Sequence, residues 1–309
     1  MPFAADMSSL SFFTACDYST RVGTMALWRS IRAIYPQAPF YVITECPILQ
    51  NSGMLQRAGI RVVPPLGFDL DAVPVAKRVY YLRYAMGNVP GEYLVYIDAD
   101  AVLLGVPEGL LSVPQGKYGA VMESDFFVGE QFANARPALD IIESQFCPSN
   151  QPCINSGVIA AWRSAWITLG GEMTAQVKRV PRLLDYALHD QGMFMLALLS
   201  SGLLAPLPRE CNVYYKDWRG NDKAIIHFWG SSKPWMHNSL RPLRRYPAFR
   251  RWLGYSRLRD HSDVRQSFVE LGCRFYDRVR PVLRGLRKWV AAPRTGAGCS
   301  GLDSREERS

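Results

Sequence analysis

The chain has 309 residues, with 36 Lys and Arg side chains against 27 Asp and Glu, and a net charge of +9. At 48% hydrophobic and 20% charged, its composition is that of a globular protein, which excludes a disordered or fibrous chain. Residues 1–235 hold 19 basic and 20 acidic side chains (net −1), whereas residues 236–309 hold 17 and 7 (net +10). Because the basic charge belongs to the last quarter, a nucleic-acid surface spread over the whole chain is excluded.

Targeting signals and cysteine spacing indicate the compartment. Residues 1–10 have no basic start, and Asp6 interrupts their apolar residues, so no signal peptide is predicted. The apolar stretch 192–208 contains two prolines and is shorter than the roughly 20 residues of a membrane span. Seven cysteines without a C-x-x-C pair predict free thiols rather than a zinc or thioredoxin-type site. We therefore expect a cytoplasmic protein.

Apolar runs and helical periodicity alternate along the first hundred residues. Strands are predicted at 9–16, 39–44, 60–63 and 93–97, and helices at 21–35, 54–58 and 75–86. Further strands are predicted at 118–122, 154–161 and 224–229, and further helices at 165–180 and 190–201. This order predicts an α/β fold with a mostly parallel sheet and helices on both faces. Ligands of such sheets bind beyond the carboxyl ends of the strands.

A pair of aspartates, Asp98 and Asp100, follows the predicted strand 93–97. Alternation along a strand would place both carboxylates on one side, where they could hold Mn²⁺ or Mg²⁺. The D-x-D pattern alone is not specific, because Asp69 and Asp71 form a second one with no strand leading into it. We interpret that second pair as a solvated loop. A simple cap at the end of the strand is the alternative for the first pair.

A second polar motif, HFWGSSKPW (227–235), begins within the predicted strand 224–229 and continues beyond its end. The imidazole of His227 is a candidate third metal ligand. Gly230 allows the backbone to approach a phosphate, and Lys233 supplies a positive charge to it. The alternative is an aromatic-rich turn with no ligand.

Two shorter motifs complete the set. Asn155 and Ser156 form a polar corner within an apolar strand, and Asp190 and Gln191 begin a helix. The alternative for Asp190 is a helix N-cap.

In chain order, these motifs resemble the family 8 retaining glycosyltransferases, which include glycogenin and bacterial galactosyl- and glucosyltransferases. The resemblance runs from about residue 9 to residue 235, and HFWGSSKPW is its most specific part. It implies a GT-A fold in a single nucleotide-sugar-binding domain. It also implies an enzyme that transfers a hexose from a UDP-sugar donor to a hydroxyl acceptor with retention, using Mn²⁺ or Mg²⁺.

The resemblance also assigns roles to individual residues. Asp98, Asp100 and His227 would be the metal ligands, and Asp98 would also contact the donor. Gly230 and Lys233 would bind the diphosphate. At the other matched positions, Asp17 would contact the uracil and Lys77 would contact the donor. The sugar would be contacted by Asn155, Ser156, Asp190 and Gln191. Asp190 would accept a sugar hydroxyl, and Gln191 would lie near the reacting carbon.

The sequence departs from the family pattern at two places. The segment 86–92 is longer than the usual link between the Lys77 helix and the D-x-D strand. Ala187 occupies a position that is often acidic, and Asp185 is a candidate replacement.

A nucleotidyltransferase and a sugar-nucleotide-binding protein without turnover remain the alternatives to a glycosyltransferase. Released UDP identifies the transferase, and released pyrophosphate the nucleotidyltransferase.

The sequence after the catalytic domain (1–238) is a basic tail. Apolar residues recur at helical spacing over 264–290 with arginines beside them, and Pro281 divides the stripe into two segments. A basic amphipathic helix within 239–292 suits an anionic membrane surface, which predicts peripheral attachment to the inner face of a membrane. The alternative is a helix packed on the catalytic domain, and nucleic acid is the least favoured partner. Residues 293–309 are predicted to be disordered.

Overall fold

The computed structural model describes residues 9–131, 150–181, 184, 190–230, 233–235, 243 and 246–256. The predictions for Asp185 and Ala187, and those for the tail beyond residue 256, lie outside these residues. Within the described ranges, no helix is both long and apolar enough to cross a bilayer.

In the described part of the chain, ten strands form two sheets. They are β1 (Leu10–Ala15), β2 (Phe40–Ile43), β3 (Arg61–Val63), β4 (Tyr93–Ile97), β5 (Ala101–Leu103), β6 (Tyr118–Phe127), β7 (Pro152–Trp162), β8 (Leu204–Leu207), β9 (Val213–Tyr214) and β10 (Ile225–His227). The described helices are α1 (Arg21–Ile34), α2 (Pro47–Gln50), α3 (Gly53–Arg57), α4 (Arg78–Tyr81), α5 (Val128–Gln131), α6 (Arg163–Arg179), α7 (Gln191–Ser201) and α8 (Pro247–Ser256).

The larger sheet has seven strands in the order β3-β2-β1-β4-β7-β6-β8. Its first four strands pair in parallel. Strand β7 is antiparallel to both β4 and β6, and β8 is parallel to β6. The predicted α/β fold with a central, mostly parallel sheet is confirmed.

The smaller sheet joins β10 to β5 and β9. Strands β10 and β5 are antiparallel, with His227 opposite Ala101. The amide of Phe228 also donates to the carbonyl of Asp100 at 3.0 Å. This pairing brings the HFWGSSKPW motif next to the D-x-D segment, which lies more than 120 residues away along the chain.

Both faces of the larger sheet are buried. Successive β1 side chains, Phe12 and Phe13, enter separate apolar clusters on its two faces, and both are fully buried. Strands covered on both faces are expected to be largely apolar, as β4 is throughout and as β1 is except at the buried Ser11 and Thr14. The ring of Trp166 from α6 packs edge-on against Phe13, with centroids 5.1 Å apart. The core therefore holds the carboxyl ends of β1 and β4 in a rigid frame.

The predicted helix 75–86 is wrong as a continuous α-helix. It consists of a 3₁₀ turn at Val75–Lys77, the short α4, and a second 3₁₀ turn at Leu82–Tyr84. The physical reason is burial, because every residue from 81 to 86 is buried. An α-helix that is buried on one side only cannot bury six consecutive residues. The backbone therefore adopts tighter 3₁₀ turns, which direct side chains into the core from more than one side of the segment.

The first part of the basic tail packs on the body of the protein. Helix α8 buries Trp252 completely, and its ring lies 6.3 Å from that of Trp235. Arg29 of α1 donates from Nη1 to the carbonyls of Tyr255 (2.9 Å) and Ser256 (2.7 Å). A guanidinium there satisfies the terminal carbonyls of α8. The structure therefore shows that 247–256 packs on the body, while the amphipathic stripe over 264–290 lies outside the described residues.

Candidate functional site

A tight turn carries the two D-x-D carboxylates. Strand β4 ends at Ile97, and the amide of Ala101 donates to the carbonyl of Asp98 at 3.0 Å before β5 begins. Asp98 and Asp100 face the same side, as expected, but strand alternation is not the cause, because neither residue belongs to the strand. The turn itself points both carboxylates toward the same place.

His227, the last residue of β10, joins these carboxylates. Its Nε2 lies 3.0 Å from Oδ1 of Asp100 and 3.4 Å from Oδ2 of Asp98. One ligand atom from each of the three residues lies within 4.8 Å of the others. The imidazole packs on Gly157, where a Cβ atom would lie 2.2 Å from Cε1 of His227. Residue 157 must therefore lack a side chain for the ring to hold this position.

The charges of the three groups suit a divalent cation. Burial opposes ionisation of Asp98 and Asp100, but neighbouring cations outweigh it and lower the pKa of both carboxyls. Burial likewise opposes charge on His227, yet the Asp100 carboxylate raises its pKa to about 9. Two ionised carboxylates and an imidazole nitrogen that faces them form a donor set that fits Mn²⁺ or Mg²⁺.

Lys233 approaches the same carboxylates from the loop after β10. Its ammonium group contacts Oδ2 of Asp100 and lies 3.4 Å from the carbonyl of Phe228. Its side chain is 30% exposed, so the charge is also accessible to solvent. Gly230 has a φ of +93°, a left-handed conformation that favours glycine.

Arg83 is a central member of the site that the sequence reasoning missed. Its Nη2 lies 3.2 Å from Oδ1 of Asp98, and its Nε lies 3.2 Å from Oδ2 of Asp190. The guanidinium also donates to the carbonyl of Ser156 and lies 4.5 Å from the centroid of the Tyr96 ring. A sequence signal existed, because Arg83 is the one charged residue in the apolar segment 79–86.

Asp190 stands immediately before α7, but its carboxylate does not cap the helix. It accepts a hydrogen bond from the hydroxyl of Tyr84 at 2.7 Å and pairs with Arg83. Asp190 therefore occupies the N-cap position, as the alternative interpretation has it, but its carboxylate is used in these contacts and not in capping the helix. Burial raises the pKa of Asp190 against the opposing effect of Arg83. Gln191 begins α7 and is partly exposed.

The Asn155–Ser156 corner is a β-bulge. The β6–β7 register passes from Ala120 opposite Ile159 to Val121 opposite Asn155, so three residues of β7 are inserted. The bulge presents the carbonyl of Ser156 to Arg83. The proposed contacts of Asn155 and Ser156 with a sugar stay predictions.

Asp17 follows β1, and Lys77 ends the 3₁₀ turn that precedes α4. The Asp17 carboxylate accepts hydrogen bonds from the amide of Thr20 (3.0 Å) and the hydroxyl of Ser19 (2.6 Å) at the start of α1. Lys77 is partly exposed in a 3₁₀ turn, and the cation that contacts Asp98 from this region is Arg83. Their roles in binding uracil and donor stay predictions.

Comparisons with known proteins find similarity in structure alone. The sequence matches no protein-family model, and no curated protein sequence matches it significantly. The apo structure of the bifunctional glycosyltransferase WbbM is 16% identical, with a TM-score of 0.57, over 85% of this chain and 51% of that one. This chain therefore spans about half the length of WbbM.

Two further structures are similar. Galactosyltransferase LgtC, solved in complex with donor and acceptor sugar analogues, is 15% identical with a TM-score of 0.54. The match covers 84% of this chain and 99% of LgtC. Glycosyltransferase GlyE of Streptococcus pneumoniae is also 15% identical with a TM-score of 0.54, over 84% of this chain and 62% of GlyE. The chain therefore has the GT-A type of fold found in these glycosyltransferase structures.

Proposed function

We propose that the chain is a metal-dependent retaining glycosyltransferase that moves a hexose from a UDP-sugar to a hydroxyl acceptor. The observation that carries this proposal is the convergence of Asp98, Asp100 and His227 within 4.8 Å beside the cations of Lys233 and Arg83. A diphosphate needs such a cluster of positive charge and oxygen-binding metal ligands. The order of motifs, which resembles family 8, supplies the donor class.

Charge stabilisation explains how these residues would promote sugar transfer. Breaking the bond between sugar and phosphate develops negative charge on the UDP leaving group. A divalent cation held by Asp98, Asp100 and His227 would supply Lewis-acid stabilisation of that charge. The ammonium of Lys233, partly exposed beside Asp100, would pair with the diphosphate. Gly230, whose φ of +93° favours glycine, would let the backbone approach the diphosphate.

The buried half of the site would hold the sugar. The hydroxyl of Tyr84 and the guanidinium of Arg83 both contact Oδ2 of Asp190. The orientation of this carboxylate is therefore set before any ligand binds. A preorganised acceptor of this kind can orient a sugar hydroxyl without reorganisation. Gln191 would lie beside the reacting carbon during attack on the same face as the leaving group. Asn155 and Ser156 would contact the sugar, and Lys77 and Asp17 the rest of the donor.

The relationship to LgtC supports a site for two sugars. That protein is described in complex with donor and acceptor sugar analogues, and this chain matches nearly all of its length. By analogy, the acceptor here would be a hydroxyl of a glycan, a lipid-linked glycan or a protein.

A screen of released nucleotide tests the proposed reaction. Full-length protein with Mn²⁺ is incubated with UDP-glucose, UDP-galactose, and their N-acetyl and uronic forms, and UDP is quantified. Release of UDP from one donor supports a glycosyltransferase, because slow hydrolysis accompanies transfer even without an acceptor. Pyrophosphate formed from UTP and a sugar phosphate would instead identify a nucleotidyltransferase. Donor binding with neither product would identify a binding protein.

We also propose that the tail attaches the enzyme to an anionic membrane surface. Because α8 packs on α1, this proposal rests on the basic amphipathic pattern of 257–292, which lies outside the described residues. Such a pattern favours a helix that lies in the interface of a bilayer containing anionic lipids.

A further inference from the structure

A buried chain of hydrogen bonds runs from His227 into the β7 bulge. Nδ1 of His227 lies 2.9 Å from Oδ1 of Asn212, on the side of the ring away from Asp98 and Asp100. Nδ2 of Asn212 donates to Oδ1 of Asn155 at 2.7 Å. His227, Asn212 and Asn155 are 3%, 3% and 6% exposed, so these polar groups depend on one another for partners.

The direction of this chain is fixed at Asn155. Oδ1 of Asn155 accepts from the backbone amide of Gly157 at 2.8 Å, and a backbone N–H can only donate. Nδ2 of Asn155 lies 2.6 Å from Oε1 of Glu123, and an ionised carboxylate can only accept. Both ends of the amide are therefore assigned by groups whose roles cannot reverse, and the Asn155 side chain has one orientation.

The orientation of Asn155 determines that of Asn212. Because Oδ1 of Asn155 is an acceptor, the group of Asn212 that faces it must be the amide nitrogen. The carbonyl oxygen of Asn212 then faces Nδ1 of His227, and Nδ1 must carry a proton. The lone pair of a neutral imidazole is consequently placed on Nε2, which points at Asp98 and Asp100.

We propose that Asn212 is a positioning residue that holds His227 in the Nδ1–H tautomer, so that Nε2 is available to a divalent cation. Asn155 and Glu123 act through Asn212 by fixing the direction of its amide. A metal-binding histidine commonly donates its second N–H to a partner that sets its tautomer and ring orientation. This inference rests on the cation site of the proposed function, but it does not depend on which reaction the site performs.

The proposal assigns Asn155 a role that sequence reasoning did not foresee. Its Oδ1 already accepts two hydrogen bonds, from the amide of Gly157 and from Nδ2 of Asn212. Both bonds belong to the hydrogen-bond network that supports His227. Asn212 itself has no sequence signal, because it ends a 3₁₀ turn (Arg209–Asn212) with no motif around it. Folding alone brings it 2.9 Å from the imidazole.

Nitrogen NMR of the imidazole tests the tautomer directly. Full-length protein labelled with ¹⁵N in its four histidines is saturated with Mg²⁺, and long-range ¹H–¹⁵N correlations are recorded. The His227→Gln variant assigns the His227 signals. We expect a protonated Nδ1 and an unprotonated Nε2 in the wild-type protein. A protonated Nε2 with an unprotonated Nδ1 would overturn the proposal, and this readout needs no substitution at Asn212.

Metal affinity tests the contribution of Asn212. Mn²⁺ binding is measured from the electron paramagnetic resonance signal of the free ion. We expect Asn212→Leu, which removes the acceptor for Nδ1, to weaken binding by about 10- to 100-fold. Asn212→Asp keeps that acceptor but sets a second acceptor against Oδ1 of Asn155, so we expect it to weaken binding less than Asn212→Leu does. Asn51→Leu, at an exposed asparagine, is the matched control. Thermal unfolding of each variant identifies any loss of folded protein.

Two results separate this inference from the proposed function. Wild-type Mn²⁺ binding in the Asn212→Leu variant, with the His227 tautomer unchanged, would overturn the role of Asn212 even if UDP-sugar turnover is found. Metal binding with the expected tautomer but no UDP release from any donor would leave the role of Asn212 intact and remove the proposed reaction.

Discussion

Arg83 and Asp190 form a buried ion pair, with Nε of Arg83 3.2 Å from Oδ2 of Asp190 and side chains that are 6% and 3% exposed. The same guanidinium lies 3.2 Å from Oδ1 of Asp98. One cation therefore joins the proposed sugar-binding carboxylate to a candidate metal ligand. This arrangement makes the stability of the fold and the geometry of the site depend on the same residue.

Replacement of Arg83 tests this dependence. We expect Arg83→Gln to lower the free energy of unfolding by about 3–5 kcal/mol, because it leaves the buried carboxylate of Asp190 without its cation. Urea unfolding followed by circular dichroism measures the change. Arg78→Gln is the matched control, since Arg78 pairs with the 91% exposed Asp71 and should cost about 1 kcal/mol or less. Equal effects of the two substitutions would show that burial of the Arg83 pair has no special importance.

The contact between Gly157 and His227 predicts a loss of metal binding without a change of any ligand. A Cβ atom at residue 157 would lie 2.2 Å from Cε1 and 2.5 Å from Nδ1 of the imidazole. We expect Gly157→Ala to displace the ring and weaken Mn²⁺ binding by at least about tenfold, a typical cost of disturbing the support of a ligand. Isothermal titration calorimetry measures the affinity. Gly171→Ala, where a Cβ meets nothing within 4 Å, should bind Mn²⁺ as wild type does.

The strands and several helices could be predicted from sequence because burial determines the pattern of their apolar residues. The strands are buried on two faces of the sheet, and the helices on one face. Strand β4 has the predicted bounds, and α1 ends within a residue of its prediction. The helix predicted over 75–86 fails because continuous burial there overrides the one-sided pattern.

The grouping of Asp98, Asp100 and His227 could be predicted, because these polar residues lie at the end of an apolar strand or just after one. The residues that support the site could not be predicted. Arg83 and Asn212 take their importance from distant partners, which only the folded chain brings within hydrogen-bonding distance. The carboxylates of Asp98 and Asp100 converge because of the tight turn after Ile97. The alternation of side chains along a strand does not predict this turn.

Metal affinity should depend on pH through His227. In the metal-free protein the Asp100 carboxylate raises the pKa of His227 to about 9, despite burial, so the imidazole is protonated at neutral pH. A cation must displace that proton from Nε2. We therefore expect affinity for Mn²⁺ to increase about tenfold per pH unit between about pH 7 and about pH 8.5, with release of one proton per ion. An affinity that is constant over this interval would contradict the pairing of His227 with Asp100.

Removal of residues 257–309 tests the membrane proposal. The truncated chain keeps α8 and its contacts with α1, so it should remain folded and bind UDP. We expect the full-length chain to sediment with vesicles that contain anionic lipid, less so at high salt, and the truncated chain to stay in solution. Equal sedimentation of the two chains would show that the segment after Ser256 is not a membrane anchor.

The most direct test of the central claim is cation-dependent UDP release by two aspartate variants. Asp100→Asn alters the D-x-D pair of the site, whereas Asp71→Asn alters the second D-x-D pair at Asp71, which is 91% exposed in a 3₁₀ turn. With the donor identified by the screen, we predict that Asp100→Asn loses UDP release and Mn²⁺-dependent UDP binding, while Asp71→Asn retains both. UDP release by Asp100→Asn at the wild-type rate would contradict the assignment of the reaction to this site.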